Sequence, residues 1–161
     1  MTRIYKEMEK CVVCGKTSEH TKWGSTNAFG SPDLDTRPPE MKRSTIGMWI
    51  QTCPSCGYCA PSISERIEKA SEVINSNSYR QQLNNLKFPK LANAFFCYSL
   101  IQESAGRYAH AGWSSIHAAW ACDDDGSTAS AQTCRKRAVN LLQKAKESSQ
   151  RFVEQPGGEG A

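Results

Sequence analysis

The chain has 161 residues, of which 39% are hydrophobic and 22% are charged, and its formal net charge is +4. This length is enough for a small metal-held module beside a compact helical one, which is the arrangement we predict. No apolar run approaches the roughly 20 residues of a membrane-spanning helix, and the polar start lacks the apolar core of a signal peptide, so we expect a cytoplasmic protein with no membrane partner.

Charge is spread evenly along the sequence. Up to Ser62 there are eight Lys and Arg against six Asp and Glu, and after it there are twelve against ten. A nucleic-acid-binding surface normally contains a concentrated basic patch, so this balance does not favour one. The eight cysteines come without an export signal, which favours a reducing compartment and free thiols over a disulfide scaffold.

The first chemical signal is the pair Cys11-Val-Val-Cys14, followed by Gly15. Residues 1–10 before it are polar, and we expect a short helical or irregular lead-in there. Two thiols two residues apart can bind one face of a tetrahedral metal ion. The glycine lets the backbone curl so that its amides point at the sulfurs. The pair therefore predicts a metal-binding turn.

Two strands are predicted next, a short one at residues 21–26 and a better one at residues 46–52. The stretch 27–44 between them is rich in residues that interrupt regular structure and predicts a long loop. In that loop, Asp33 and Asp35 are expected to pair with nearby cations and stiffen the chain. No nucleophile or histidine base accompanies the two carboxylates, so a structural or partner-binding role is favoured over a catalytic acid pair. The candidate cations are Arg37, Lys42 and Arg43.

A second pair, Cys53-Pro-Ser-Cys56, is again followed by a glycine, Gly57. The two pairs together predict a four-cysteine site. Four soft sulfur ligands suit zinc and leave no open position for water or substrate, so we predict one structural Zn²⁺ per chain. Iron stays open as the alternative metal, since a rubredoxin uses a similar pair of turns with four thiolates. The predicted metal ligands are Cys11, Cys14, Cys53 and Cys56.

Cys59 extends the second pair to CxxCxxC, so any two of its three cysteines could bind the metal. We favour Cys53 and Cys56 because proline and glycine shape the turn around them, whereas Cys59 lies where the chain leaves it. His20 is a second reserve ligand. Because such a module is too small to bury much apolar area, metal coordination supplies folding free energy that its core does not.

From residue 63 onward the pattern of apolar residues predicts helices. Gly106 ends one of them, and residues 123–126, Asp-Asp-Asp-Gly, predict a capping turn before the last. A calcium loop there would need ligands at alternating positions and a closing glutamate, which are lacking. The predicted helices span residues 64–74, 79–86, 89–104, 107–122 and 127–150.

These features predict an α+β protein: a small rubredoxin-like zinc ribbon in residues 1–62, then an all-α antiparallel bundle in residues 63–152. Residues 153–161 have nothing with which to form a core, and we expect a disordered tail. His110 and His117 share a helix face and suggest a second metal site together with the remaining cysteines. It is not favoured, since histidine ligands on one helix are better placed at i and i+4. Those remaining cysteines are Cys97, Cys122 and Cys134.

The ribbon and the helices resemble a family of uncharacterised prokaryotic proteins catalogued only as a domain of unknown function. In that family a four-cysteine zinc ribbon precedes a helical region of tetratricopeptide type, and the resemblance implies no known enzymatic activity. It rests on Cys11-Val-Val-Cys14-Gly15, Asp33-Leu34-Asp35-Thr36-Arg37-Pro38, Trp49-Ile50-Gln51-Thr52-Cys53-Pro54-Ser55-Cys56-Gly57-Tyr58-Cys59-Ala60 and Ala118-Ala119-Trp120-Ala121-Cys122-Asp123-Asp124.

The tetratricopeptide comparison is partial. The stretch Gly106-Arg-Tyr-Ala-His-Ala111 is similar to the turn and second-helix start of one repeat. Ser115 stands where an aromatic residue is typical, and Ser99 where glycine is. Because stacked repeats usually need about three units, we predict a short array of helical hairpins (TPR-like) packed against the ribbon.

We expect a non-catalytic zinc-binding protein, acting as an interaction module or adaptor for a protein partner. No phosphate loop, nucleophile turn or histidine-containing catalytic motif is present, so an enzyme and a small-molecule substrate are not expected. One alternative is electron transfer by iron in the same thiolates. The other is a nucleic-acid-binding ribbon that uses Lys16, Lys22, Trp23, Lys42, Arg43 and Trp49.

Overall fold

The structure is a computed structural model, and it describes residues 2–152. Two small antiparallel sheets, each of two strands, precede the helical part of the chain, so the mixed α+β class is confirmed. Rubredoxin-like and TPR-like details stay predictions. The tail predicted at residues 153–161 lies outside the described residues. In residues 2–152, no helix is long and apolar enough to cross a membrane.

The chain begins with a hairpin of two strands, β1 (Arg3–Lys10) and β2 (Thr17–Ser25). They pair antiparallel from Lys10 opposite Thr17 out to Arg3 opposite Ser25. The expectation of a helical or irregular start is therefore wrong. Cross-strand ion pairs stabilise these polar strands, and such pairs leave no apolar periodicity in the sequence. They are Lys6 with Glu19, and Lys22 with Glu7 and Glu9.

A 3-10 helix, Lys42–Met48, occupies part of the stretch predicted as a strand. Thr45 Oγ1 donates to the carbonyl of Lys42 at 2.6 Å and accepts from Trp49 Nε1 at 2.7 Å, so local side-chain bonds favour the helical turn. The strand prediction for residues 46–52 holds only for β3 (Gln51–Thr52). It pairs antiparallel with β4 (Cys59–Ala60).

The first predicted helix is much shorter than expected. Only α1 (Ala70–Ile74) forms, preceded by Lys69 at a φ of 63°. Upstream, the backbone N–H of Ile63 donates to Gln51 Oε1 at 3.0 Å, so the chain is held in an irregular course along the sheet. The next helix, α2 (Asn77–Leu83), begins after Ser76, whose hydroxyl accepts from the Tyr79 amide.

Three longer helices follow: α3 (Lys90–Ser104), α4 (Tyr108–Asp125) and α5 (Thr128–Glu147). Helix α4 packs against both α3 and α5. Small residues permit this close approach. Ser99 Oγ and Ser115 Oγ lie 2.9 Å apart between α3 and α4, and a Cβ on Gly112 would lie 2.8 Å from Leu142 Cγ of α5.

Most of the buried apolar residues form one continuous cluster. From the amino-terminal part it includes Cys11, Trp49 and Cys59, and from the helices it includes Phe95 and Trp120. The division into residues 1–62 and 63–152 as separate units stays a prediction, but the two stretches share this cluster.

Candidate metal centre

The structure brings together the four cysteines that the sequence predicted as ligands. Their Sγ atoms all lie within 4.8 Å of one another. Cys11 Sγ lies 3.7 Å from Cys56 Sγ, and Cys14 Sγ lies 3.6 Å from Cys53 Sγ. Four thiolates at about 2.3 Å from a tetrahedral zinc ion would be separated by about 3.8 Å. The donor set and its spacing therefore fit such an ion.

Two matching turns position the sulfurs. We call residues 11–16, after β1, the first knuckle, and residues 53–58, between β3 and β4, the second knuckle. Gly15 N donates to Cys11 O at 2.8 Å, and Gly57 N donates to Cys53 O at 2.9 Å. The two glycines have φ values of 75° and 81°, a backbone conformation that favours glycine. The two turns therefore have the same shape, and this shape follows from the CxxCG sequence that they share.

The site is buried on one side only. Cys11 and Cys53 are 1% exposed, Cys56 is half-buried, and Cys14 is exposed. Burial raises the pKa of the Cys11 and Cys56 thiols. Burial acts in the same direction on Cys53, but hydrogen bonds from the Cys56 and Ser55 amides outweigh it and lower its pKa to about 7. A bound cation would displace the remaining thiol protons.

Neither reserve ligand joins the cluster. Cys59 is fully buried, and its Sγ contacts Thr52 Oγ1 at 3.3 Å. His20 lies on β2, with Nε2 at 2.8 Å from Ser18 Oγ. Of the three cysteines in CxxCxxC, the structure places Cys53 and Cys56 in the cluster and leaves Cys59 outside it.

His117 and Cys134, which were considered for a second metal site, lie outside the four-cysteine cluster. His117 packs among the rings of Trp49, Phe95 and Trp120, with ring centroids 5.0 to 5.4 Å apart. Burial raises the pKa of Cys134 to about 12, which keeps its thiol protonated. Across residues 2–152, the four-cysteine cluster is the only group of three or more potential metal ligands that come this close.

The predicted stiffening of the loop takes a different form from the one expected. Asp33 pairs with Arg43 at 2.7 Å, as predicted. Asp35 instead reaches the helices, where it accepts from Trp120 Nε1 at 2.7 Å and from Arg135 Nη2 at 3.1 Å. These two partners lie 85 and 100 residues away from Asp35 in the sequence. No local spacing in the sequence indicates them.

The aspartates expected in a capping turn also hold the loop. Asp123 and Asp124 lie in the last turn of α4, which Gly126 ends with a φ of 76°. Asp124 accepts from Arg37 Nη2 at 2.7 Å, and Asp123 from Arg135 Nη2 at 2.6 Å. Their charge is therefore matched by arginines from the loop and from α5.

Several residues proposed for a nucleic-acid surface are engaged within the protein. Trp49 is buried and donates to Thr45. Lys22 lies between Glu7 and Glu9, and Arg43 pairs with Asp33.

No family model, curated protein or solved structure matches the chain. Within residues 2–152, the chain joins four clustered cysteines that could bind a metal ion to a helical region.

Proposed function

We propose that this protein is a non-catalytic zinc-binding protein that holds one Zn²⁺ per chain and serves as a protein interaction module. The single observation behind the first part is the convergence of four sulfurs within 4.8 Å. Four thiolates complete a tetrahedral shell, so no position remains at which water or a substrate could be activated. In this proposal a zinc ribbon precedes a TPR-like helical part, in the cytoplasm, where thiols stay reduced.

Metal analysis of the purified protein tests the zinc assignment. We expect about one zinc per chain and no visible colour, because Zn²⁺ has a filled d shell. Single Cys→Ser substitutions at each of the four ligands should lower the metal content, whereas Cys59→Ser should keep it. A coloured protein that contains iron would contradict the zinc assignment and favour the alternative function, electron transfer.

The interaction role is supported by a turn in the long loop. Thr36 N donates to Asp33 O at 2.9 Å, and Asp33 N donates to Arg37 O at 3.0 Å, which closes a tight turn. Leu34 at its tip is fully exposed. Because Asp35 and Arg37 bind the helices, the turn is ordered before any partner arrives, and an apolar side chain on a pre-ordered turn suits an anchor for a partner pocket.

Affinity capture with matched variants tests this role. Leu34→Asp should abolish retention of a specific protein, while Leu86→Asp should not, although Leu86 is also a fully exposed leucine. Equal retention by both variants, or no specific protein with the parent chain, would count against the interaction surface. The zinc assignment would be unaffected by either result.

A further inference from the structure

Helix α2 contacts the backbone of the second knuckle directly. Tyr79 Oη donates to Gly57 O at 2.6 Å and accepts from Cys59 N at 3.1 Å. The next residue, Arg80, donates from Nη2 to Cys56 O at 2.7 Å. Thus one short helix binds backbone groups of the predicted metal ligand Cys56 and of Gly57 and Cys59, which follow it.

The same helix leaves no free space beside the knuckle. A Cβ placed on Gly57 would lie 2.7 Å from Leu83 Cδ2 and 3.0 Å from Arg80 Nη1. Tyr79 is fully buried. Helix α2 is in turn tied to α3, because Gln82 Nε2 donates to Asn93 Oδ1 at 2.9 Å. The position of the guanidinium is therefore set by the packing of the helical region.

Charge gives this contact a second effect. A dication with four thiolates carries a net charge of −2, and partial burial makes that charge costly unless cations or N–H groups lie close by. Arg80 is a half-buried residue, and its guanidinium binds the carbonyl of Cys56 itself. Groups that orient metal ligands in this way typically change metal affinity by 10- to 100-fold when removed.

We propose that Arg80 is a positioning residue of the metal site: its guanidinium holds the Cys56 carbonyl, and so the direction of the Cys56 thiolate, and its positive charge favours the four-thiolate complex. This inference rests on the metal binding proposed above. It also makes the helical region a part of the metal site, since α2 supplies the side chain.

The test uses the full chain and Co²⁺ as a spectroscopic probe. Co²⁺ is titrated against a competing chelator, and the thiolate-to-cobalt and d–d absorption bands are recorded. Arg80→Met should weaken Co²⁺ binding about 10-fold or more and shift the d–d bands. Arg80→Lys, which keeps the charge and a donor, should recover much of the affinity. Gln81→Met is the matched control, because Gln81 is exposed on the same helix, and it should behave like the parent.

Each outcome bears on the proposal. Arg80→Met with the affinity and spectrum of the parent would overturn it. If Arg80→Met does not fold by circular dichroism, Arg80→Lys is compared with the neutral Arg80→Gln, and parent-like binding by both would overturn it. A parent chain that binds no Co²⁺ or Zn²⁺ would instead refute the proposed metal function.

Discussion

Trp120 Nε1 in α4 donates to Asp35 Oδ2 in the inter-knuckle loop at 2.7 Å, across 85 positions of sequence. Trp120 is 1% exposed, so its indole N–H has been removed from water and needs this acceptor. Arg135 binds the same carboxylate, and Arg37 of the loop lies over the Trp120 ring with its guanidinium carbon 5.9 Å from the centroid. The loop is therefore fastened to the helices by a buried donor and two cations.

Asp35→Ala should lower the free energy of unfolding by about 1–3 kcal/mol, because the buried indole N–H loses its acceptor. Asp33→Ala removes a more exposed ion pair and should lower it by no more than about 1 kcal/mol. Urea denaturation followed by tryptophan fluorescence measures both values. Equal effects of the two substitutions would show that the contact with Trp120 contributes little.

This effect of Asp35 should depend on pH. Burial opposes ionisation of Asp35, but Trp120 and Arg135 outweigh it and hold its pKa below the ordinary value of 3.8. Because the pKa of Asp35 is lower in the folded than in the unfolded state, its ionised form stabilises the protein at pH values above the unfolded pKa. This contribution is lost as the pH falls through the folded pKa. The difference between the parent and Asp35→Ala should therefore shrink below about pH 4.

Gly57→Ala should destabilise the protein more than Gly126→Ala does. Both glycines have a positive φ, which costs about 1 kcal/mol for alanine. Only Gly57 also meets side chains of α2, whereas a Cβ on Gly126 would meet nothing within 4 Å. Gly57→Ala should in addition weaken Co²⁺ binding, and Gly126→Ala should not. Equal losses of stability and unchanged metal affinity would contradict this account of the second knuckle.

The hydroxyl pair between α3 and α4 should show strong coupling. Ser99 donates to Ala111 O at 2.7 Å, so the hydrogen bond between Ser99 and Ser115 takes its proton from Ser115. Ser99→Ala should cost about 1–3 kcal/mol, because it leaves the fully buried Ser115 hydroxyl without this acceptor. The double Ala variant should cost less than the sum of the two single ones. Additive values in urea denaturation would argue against the bond.

Metal removal should destabilise the helices as well as the knuckles. The buried cluster runs from Cys11 to the helices without a break, so the two parts are expected to unfold together. Free zinc at 1,000 times its dissociation constant stabilises the folded state by about 4 kcal/mol, which a chelator would remove. Thermal melts of the far-UV circular dichroism signal test this. A helical transition that a chelator leaves unchanged would indicate two independent units.

The four-cysteine cluster could be expected from the sequence because the information for each turn is local. Each CxxCG turn is five residues long, and the chemistry of the thiol restricts what such a turn can do. The same locality explains the failure at residues 64–69, where apolar spacing suited a helix. Ile63 and Ile67 are instead buried in the hydrophobic cluster, and the Ile63 amide donates to Gln51 rather than to a helical carbonyl.

The contacts that join the two halves were beyond local inference. Arg80 lies 24 residues from the carbonyl that it binds, and Asp35 lies 100 residues from Arg135. Nothing in the identity of an arginine or aspartate indicates so distant a partner. The first strand was missed for a related reason, since polar side chains that pair across β1 and β2 have no apolar alternation to reveal them.

In the proposed zinc complex, the exposure of Cys14 would set the route by which the metal enters and leaves. Its three companions are shielded to different degrees, so an incoming chelator or an alkylating reagent meets the Cys14 sulfur before the others. Ligand exchange should then begin at that vertex of the tetrahedron, with the bonds to Cys11 and Cys53 breaking last. We therefore expect the proposed site to combine tight binding at equilibrium with rapid loss of the ion to a competing chelator, because the buried sulfurs govern the affinity and the exposed Cys14 governs the exchange rate.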